Sequence, residues 1–445
     1  MRRAVVISLD HLHLGYVGCY GNDWIETPNF DRLASQGVVF DQHFSENIDP
    51  AAGNHAWWTG RLQFPLDHEA QRGCSTWLDE LHERGIPTHL IIESDGRDDT
   101  AIAPAFENIV TARGSDGFDV AEGETPFART VKEAERWLKE NAGGTQPAVL
   151  WIKSRGVPAP WVPPQAFAEL YLDEFGLAAQ AEERREPDDG SGENEPDQEE
   201  PVGETAPTSI DDSLDWRYAA AMYAAYVTLV DRWLGRLLQV IDGSPGWNQA
   251  LLIVTAGAGQ ALGEHGRLAD ERAPLRAESV HAPLWVRVPD SDQGGTRRHA
   301  MVQTVDIAPT LREWLGGESF GGKAEVPGAH PSGPIHFESV PALGSPGALQ
   351  VRANGVSLLP LVRNEVQSVR DVVWMGSGRS EWGVRTIDFF YAEPGDVNPE
   401  TDPPAAVLFE KPHDRWDQFD VASQFRQVSE DMHEMLKQIH TDPKR

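Results

Sequence analysis

Asp10, His11 and His13 stand directly after one apolar run, residues 4–9, and Glu93 and Asp95 stand directly after a second, residues 89–92. Carboxylates and imidazoles gathered at strand ends are the residue types that hold a metal ion or move a proton. Asp10, His11 and Asp95 together would make a three-ligand set suited to zinc, which accepts both imidazole and carboxylate. A solvated polar loop that binds nothing is the plainer reading and the preferred one. A third stretch, NIDPAAGNHAWWTGR at residues 47–61, carries Asp49-Pro50 followed by two tryptophans. Aspartate is a favoured N-cap and proline a favoured first helical residue, so the stretch predicts an ordinary helix start. Asp49 would then occupy N–H groups otherwise open to an anion. Trp57 and Trp58 read as core filling, with an aromatic platform for a sugar or a partner as the alternative.

The elements that must position these residues follow from the hydrophobic pattern. Residues 4–9, 89–92, 148–153 and 250–255 read as buried parallel strands. Helical patterns lie between them at 74–84, which ends at Gly85, at 127–141 and at 215–240. Alternating strands and helices predict an α/β fold with a large, mostly parallel mixed sheet flanked by helices. A site in such a sheet lies at the carboxyl ends of the strands, here Asp10, Glu93, Asp95, Ser154, Ala256 and Gly257. Beyond residue 345 the pattern changes to short strands at 372–374, 384–391 and 406–409, followed by an amphipathic helix at 421–441. The expectation is an α/β domain over 1–345 and a C-terminal α+β subdomain over 346–445, a small antiparallel sheet with a terminal helix.

Composition narrows the function classes. The formal charge of −32 argues against nucleic acid and anionic membrane as partners. Residues 181–213 are acidic, rich in Pro and Gly and nearly without bulky apolar side chains, and are expected to be a disordered surface insertion. Cys19 and Cys74 give neither a disulfide framework nor a zinc cluster. The start, MRRAVVISLD, reads as a first strand rather than a signal peptide, and no apolar run has membrane-spanning length. A cytoplasmic location is the expectation.

Read in order, several blocks resemble the sulfatase family of the alkaline phosphatase superfamily: SLDHLHLGYVGCYGNDWIETPNFDRLASQGVVFDQHF near the start, Thr59-Gly60-Arg61, LGEHG at 262–266, LRAESVHAPLWVRVP at 275–289, TVDIAPTL at 304–311, GVSLLPLV at 355–362 and AVLFEKPHDRWDQFDVAS at 406–423. The resemblance implies sulfate-ester hydrolysis by a formylglycine nucleophile, a calcium-type cation and a ring of Lys, Arg and His. A hard cation held by carboxylates activates the nucleophile, and cationic side chains stabilise the departing charge.

The scaffold positions of that pattern are kept: Gly18, Tyr20, Pro28, Asp31, Arg32, Thr59, Gly60, Gly263, Gly266 and Pro283. The chemical positions are not. Counting back from Thr59-Gly60-Arg61 places Pro50 at the nucleophile, Gly53 at the following serine and Asn54 at the arginine. The paired aspartates after the first strand become Asp10 and His11. The second ligand pair becomes Gly257 and Ala258. The family's active-site lysine and histidine align with Glu93 and Asp95, its two later histidines with Gly156 and Ala159, and its late lysine with Arg272. No catalytic residue, cofactor or metal is therefore expected, Asp10 being the one retained ligand position. The reading is a pseudoenzyme with a binding, scaffolding or regulatory role, its partner a protein such as an active paralogue. The alternative is an active sulfuric or phosphoric ester hydrolase with a rebuilt site. A third possibility, binding of a cationic ligand, follows from Glu93 and Asp95 making the pocket acidic.

Overall fold

The computed structural model describes residues 2–48, 50–62, 76–94, 106–144, 146–172, 213–269, 274–316, 355–377, 381–395 and 405–441. The four expected parallel strands form: β1 (Arg3–Leu9), β3 (Thr88–Glu93), β5 (Ala148–Ser154) and β6 (Leu251–Thr255). They are joined by four that the apolar runs did not announce: β2 (Val38–Phe44), β4 (Asn108–Ala112), β7 (Leu284–Arg287) and β8 (Thr296–Gln303). The order is β4-β3-β5-β1-β6-β7-β2-β8, with β7 antiparallel to both neighbours and the other pairs parallel. Of these, β2 and β8 mix polar and apolar residues, Asp41-Gln42-His43 interrupting β2 and Thr296-Arg297-Arg298-His299 opening β8, whereas β7 is only four residues long. Sheet membership won over local pattern there.

The side chains of β1 alternate between two cores. Val5, Ile7 and Leu9 face one, Ala4 and Val6 the other. The first core is covered by helices α1 (Pro28–Gln36), α4 (Pro126–Glu140), α5 (Gln165–Leu172) and the long α6 (Ser213–Gly243). The second is covered by α2 (Pro50–Thr59), α3 (Trp77–Glu83) and α7 (Ile307–Trp314). α3 begins later than expected because Thr76 and Asp79 close a capping box. α1 takes its N-terminal cap from a distance: the Asp231 carboxylate on α6 accepts from the Asn29 and Phe30 amides at 3.0 and 2.8 Å. Thr27 ahead of α1 accepts from the Gly18 amide at 2.9 Å, so the GCYG and TPN segments hold each other.

A second, four-stranded antiparallel sheet follows, ordered β12 (Val407–Glu410), β11 (Phe389–Pro394), β10 (Glu381–Arg385), β9 (Val373–Gly376). The strand expected at 384–391 is in fact a hairpin, broken where Phe389 and Thr386 exchange hydrogen bonds across Ile387-Asp388. The terminal helix, α8 (Arg426–Thr441), starts five residues later than expected. Asp420 accepts from the Leu408 and Ala422 amides and ties that stretch to the sheet edge instead. Met432, Met435 and Leu436 of α8 cover one face of this sheet. The other face packs on Phe44, Leu275, Val280 and Met301 of the main body. The acidic stretch expected to be disordered lies outside the described residues, apart from Ser213, which opens α6.

Candidate functional site

The register of the parallel strands brings the sequence-predicted residues to one level. Leu9 pairs with Ser154, Ser8 with Thr255, and Ile92 with Lys153. Asp10, Glu93, Ser154, Ala256 and Gly257 therefore meet at the carboxyl ends of β1, β3, β5 and β6. Above them lies α2, with Pro50 as its first residue, as the sequence predicted. Asp49, Asp95 and Arg272 lie outside the described residues.

This level is filled. Asp10 is 3 % exposed and Lys153 6 %. The Lys153 ammonium forms a buried ion pair with Asp10 Oδ2. Asp10 Oδ1 lies against Gly257, where an added Cβ would stand 2.6 Å from it. That same point is 3.1 Å from the Trp57 ring. Trp57 is fully buried, its centroid 5.8 Å from the Lys153 ammonium and 5.6 Å from the Trp151 ring. Trp77 donates its indole N–H to the Trp57 carbonyl at 2.9 Å. Cation, indoles and carboxylate thus form one packed block in which the lysine stem and the aromatic faces exclude water. Trp58 is also buried, edge-on to Phe106. Asn54, one turn before Trp58, is buried, as are Ala256 and Ala258.

The loops leaving the strands are stitched together by backbone. The Asp10 carbonyl accepts from the Val157 amide at 3.1 Å, and Gly156, at φ +66°, lies so close that a Cβ there would stand 2.0 Å from the Asp10 oxygen. Gln260 donates to the His11 and Val157 carbonyls at 3.0 and 2.7 Å, and Tyr223 donates to the His11 carbonyl at 2.7 Å. His11 itself has φ +60°. The LGEHG loop belongs to the same frame: the Leu262 amide donates to the Glu264 carboxylate at 2.6 Å, Glu264 faces His13 at 3.4 Å, and His265 bonds the Trp416 carbonyl. Thr59-Gly60-Arg61 closes α2 with Gly60 in the left-handed region, and its carbonyl accepts from Gly355 at 2.9 Å.

Glu93 ends β3 beside β5, and Ser154 donates its hydroxyl to Glu93 Oε2 while accepting from the Gly156 amide. Burial pushes the Glu93 carboxyl up to about 7, against the Ser154 hydrogen bond. Of the two acids expected to make the pocket acidic, Asp95 lies outside the described residues and Glu93 is shifted towards neutrality. Lys153 supplies a cation, and Glu93 is partly protonated at neutral pH. Among the described residues no group of three His, Cys, Asp or Glu could hold a metal ion. The calcium-type cation implied by the resemblance does not fit. It needs six or more oxygens, whereas here Asp10 presses one oxygen on Gly257 and gives the other to a lysine.

Lys153 is the residue that sequence reading missed. The signal was present: AVLWIKS is a fully buried parallel strand with one lysine in it, and a buried lysine requires a partner.

Burial also pushes Glu46 and Glu278 up to about 8. Unfolded glutamates titrate near 4.3. From there up to about pH 8 the folded chain holds protons that the unfolded chain has released, so stability falls as pH rises. Burial lowers His43 to about 4, which acts in the opposite direction, but only below about pH 6.5 where the unfolded imidazole charges. Stability is thus expected to fall between pH 6.5 and 8.5, by up to ~1.4 kcal/mol per pH unit for each carboxyl still protonated, and Tm in thermal melts should fall with it. Glu46→Gln should flatten the slope. A Tm that rises across this range contradicts the assignment.

This fold, a mixed eight-stranded sheet between helices with a small antiparallel sheet behind it, is that of the alkaline phosphatase superfamily. The model of the sulfatase family matches residues 2–317, and the chain belongs to that family. It is 25 % identical over 362 residues to iduronate 2-sulfatase of Homo sapiens, covering 67 % of this chain and 62 % of the relative. It is 24 % identical over 377 residues to an N-acetylglucosamine-6-O-sulfatase of Bacteroides thetaiotaomicron, covering 68 % and 65 %. The alignments thus span less than two thirds of those relatives' lengths. Among solved structures, a protein in complex with its substrate D-glucosamine-2-N,6-O-disulfate superposes with a TM-score of 0.71 at 17 % identity, over 99 % of both chains. The phosphonate monoester hydrolase of Agrobacterium radiobacter gives a TM-score of 0.71 at 17 % identity, over 99 % of this chain and 95 % of that one.

Proposed function

We propose that this sulfatase-family chain does not hydrolyse sulfate esters and works as a binding, scaffolding or regulatory protein. A protein partner such as an active paralogue is the proposed target. One observation supports the reading: at the positions the resemblance gives to nucleophile and cation, α2 begins with Pro50 and Asp10 is buried in an ion pair with Lys153 near the fully buried Trp57. Proline offers no side-chain nucleophile. A carboxylate already paired with lysine and walled by indole has no face to turn to a hydrated metal or an incoming ester. Family membership does not by itself supply activity.

The alternative, a hydrolase with rebuilt chemistry, has one observation in its favour. Ser154 donates to a carboxylate whose pKa lies near neutrality, which is the arrangement of a hydroxyl beside a base. Against it, Ser154 is fully buried. Purified protein is expected to release no product from an aryl sulfate, an aryl phosphate or an aryl phosphonate above the buffer rate, with or without added Ca²⁺, Mg²⁺ or Zn²⁺. Turnover that disappears in Ser154→Ala or Asp10→Asn would overturn the inactive reading.

A further inference from the structure

We infer that Lys153 is a covalently tethered cation that takes over, at the Asp10 carboxylate, the charge-neutralising part of the divalent ion used by the family. The inference deepens the reading above through the assignment of Asp10, Gly257 and Ala258 to the family's ligand positions. It does not depend on the chain being inactive.

Three features of the structure carry it. First, the ammonium contacts the one carboxylate left of the ligand set, and both groups are nearly sealed from solvent. A charge buried that deeply is held only by an opposite charge or by a metal. Asp10 therefore still needs a cation, and the chain supplies its own. Second, the positions that would hold more acidic ligands are Gly257 and Ala258. Gly257 leaves no room for a side chain, because a Cβ there meets Asp10 Oδ1 at 2.6 Å and Trp57 at 3.1 Å. A single ammonium balances a single carboxylate, so the loss of the other acids and the presence of Lys153 fit together as charge bookkeeping. Third, the Lys153 ammonium stands over the fully buried Trp57 ring, 5.8 Å from its centroid, a contact that favours a cation. A divalent ion keeps oxygen ligands or water around it, and an indole face offers neither.

The structure consequently assigns Lys153 and Asp10 as a coupled pair, so that removing both costs less than at least one of the single removals. Lys153→Ala should leave Asp10 buried without a counter-charge and lower Tm by on the order of 5 °C or more. The deleted stem and ammonium have the shape of n-propylammonium, so that ion should restore much of the lost Tm. Neither n-propanol, which lacks the charge, nor tetramethylammonium, which lacks the shape and the N–H donors, should do so. In the double variant Asp10→Asn/Lys153→Met, Tm should exceed that of at least one single variant. If the single variants do not fold, recovery of folded double variant is the same result. Wild-type Tm should not respond to EDTA or to millimolar Ca²⁺.

The inference is overturned by additive single effects, by a double variant as unfolded as the worse single, by rescue with propanol equal to that with propylammonium, or by a wild type that Ca²⁺ stabilises. Ester turnover by a wild type whose Asp10–Lys153 coupling is intact would sink the inactive reading and leave this inference standing. Absent coupling with no turnover would do the reverse.

Discussion

Gly156→His, which introduces the residue type that the sequence resemblance aligns with this position, is expected to unfold the protein or destabilise it by at least about 4 kcal/mol. The cause is backbone, not chemistry. Gly156 has φ +66°, a region that costs a residue with a Cβ about 1–2 kcal/mol. Its Cβ would also stand 2.0 Å from the Asp10 carbonyl oxygen and 2.9 Å from the Leu9 carbonyl carbon. Neither can yield, because both belong to the end of the central strand, where the Asp10 amide donates to the Ser154 carbonyl and the Asp10 carbonyl accepts from Val157. Relief would require pulling β1 from β5 at its last rung. Gly156→Ala isolates this term and should lose most of the same stability. The measurement is urea unfolding followed by tryptophan fluorescence. A Gly156→Ala protein within about 1 kcal/mol of wild type would show that the loop moves freely and that the close approach carries no weight.

This expectation changes the meaning of the missing histidines. In sequence, Gly156 and Ala159 read as two absent side chains. In the structure, the first of them marks a loop that has closed down on the β1 terminus, held also by Gln260 bridging the His11 and Val157 carbonyls. The sequence made the parallel strands legible because they are continuous apolar runs, and it made the family legible because the scaffold motifs sit in turns and caps that tolerate few residues. Thr27 against Gly18 and Gly60 against Gly355 are such places. β2, β4 and β8 were hidden because polar residues occupy sheet positions set by long-range pairing, and β7 because its apolar run, Leu284-Trp285-Val286, is only three residues long. The filling of the site was half legible. Pro50, Gly257 and Ala258 could be counted off from motifs, but the group that replaces their chemistry could not. Lys153 comes from a different strand, and only the register of β1, β3 and β5 shows that it reaches Asp10. The charge expectation from Glu93 and Asp95 counted aligned positions and not neighbours: Asp95 lies outside the described residues, and Lys153 beside Asp10 was not in the count.

The second large effect is expected at Gly257→Asp, which places a carboxylate beside Asp10 at the position the sequence resemblance aligns with a ligand. Two carboxylates would then share one ammonium inside a block closed by Trp57. Leaving a buried charge uncompensated costs about 3–5 kcal/mol, and the crowding against Asp10 Oδ1 and the Trp57 ring adds to it. Gly257→Ala carries only the crowding, so the difference between the two variants in urea unfolding measures the charge term. That difference should shrink at low pH, because protonating the added carboxyl removes the repulsion. Calcium is the discriminating addition. In a site still built for a hard cation, a second carboxylate would create binding, and millimolar Ca²⁺ would raise the stability of Gly257→Asp above that of Gly257→Ala. With Lys153 in place the expected result is no such rise. Combining Gly257→Asp with Lys153→Ala frees the space of the lysine stem beside Asp10 and loses the counter-charge, and this is the variant in which added Ca²⁺ should act if it acts anywhere. Rescue by Ca²⁺ only when Lys153 is gone would identify the lysine as what now excludes the metal. Rescue with Lys153 still present would mean that the cation site survives beneath it, and the account of a closed site would fall.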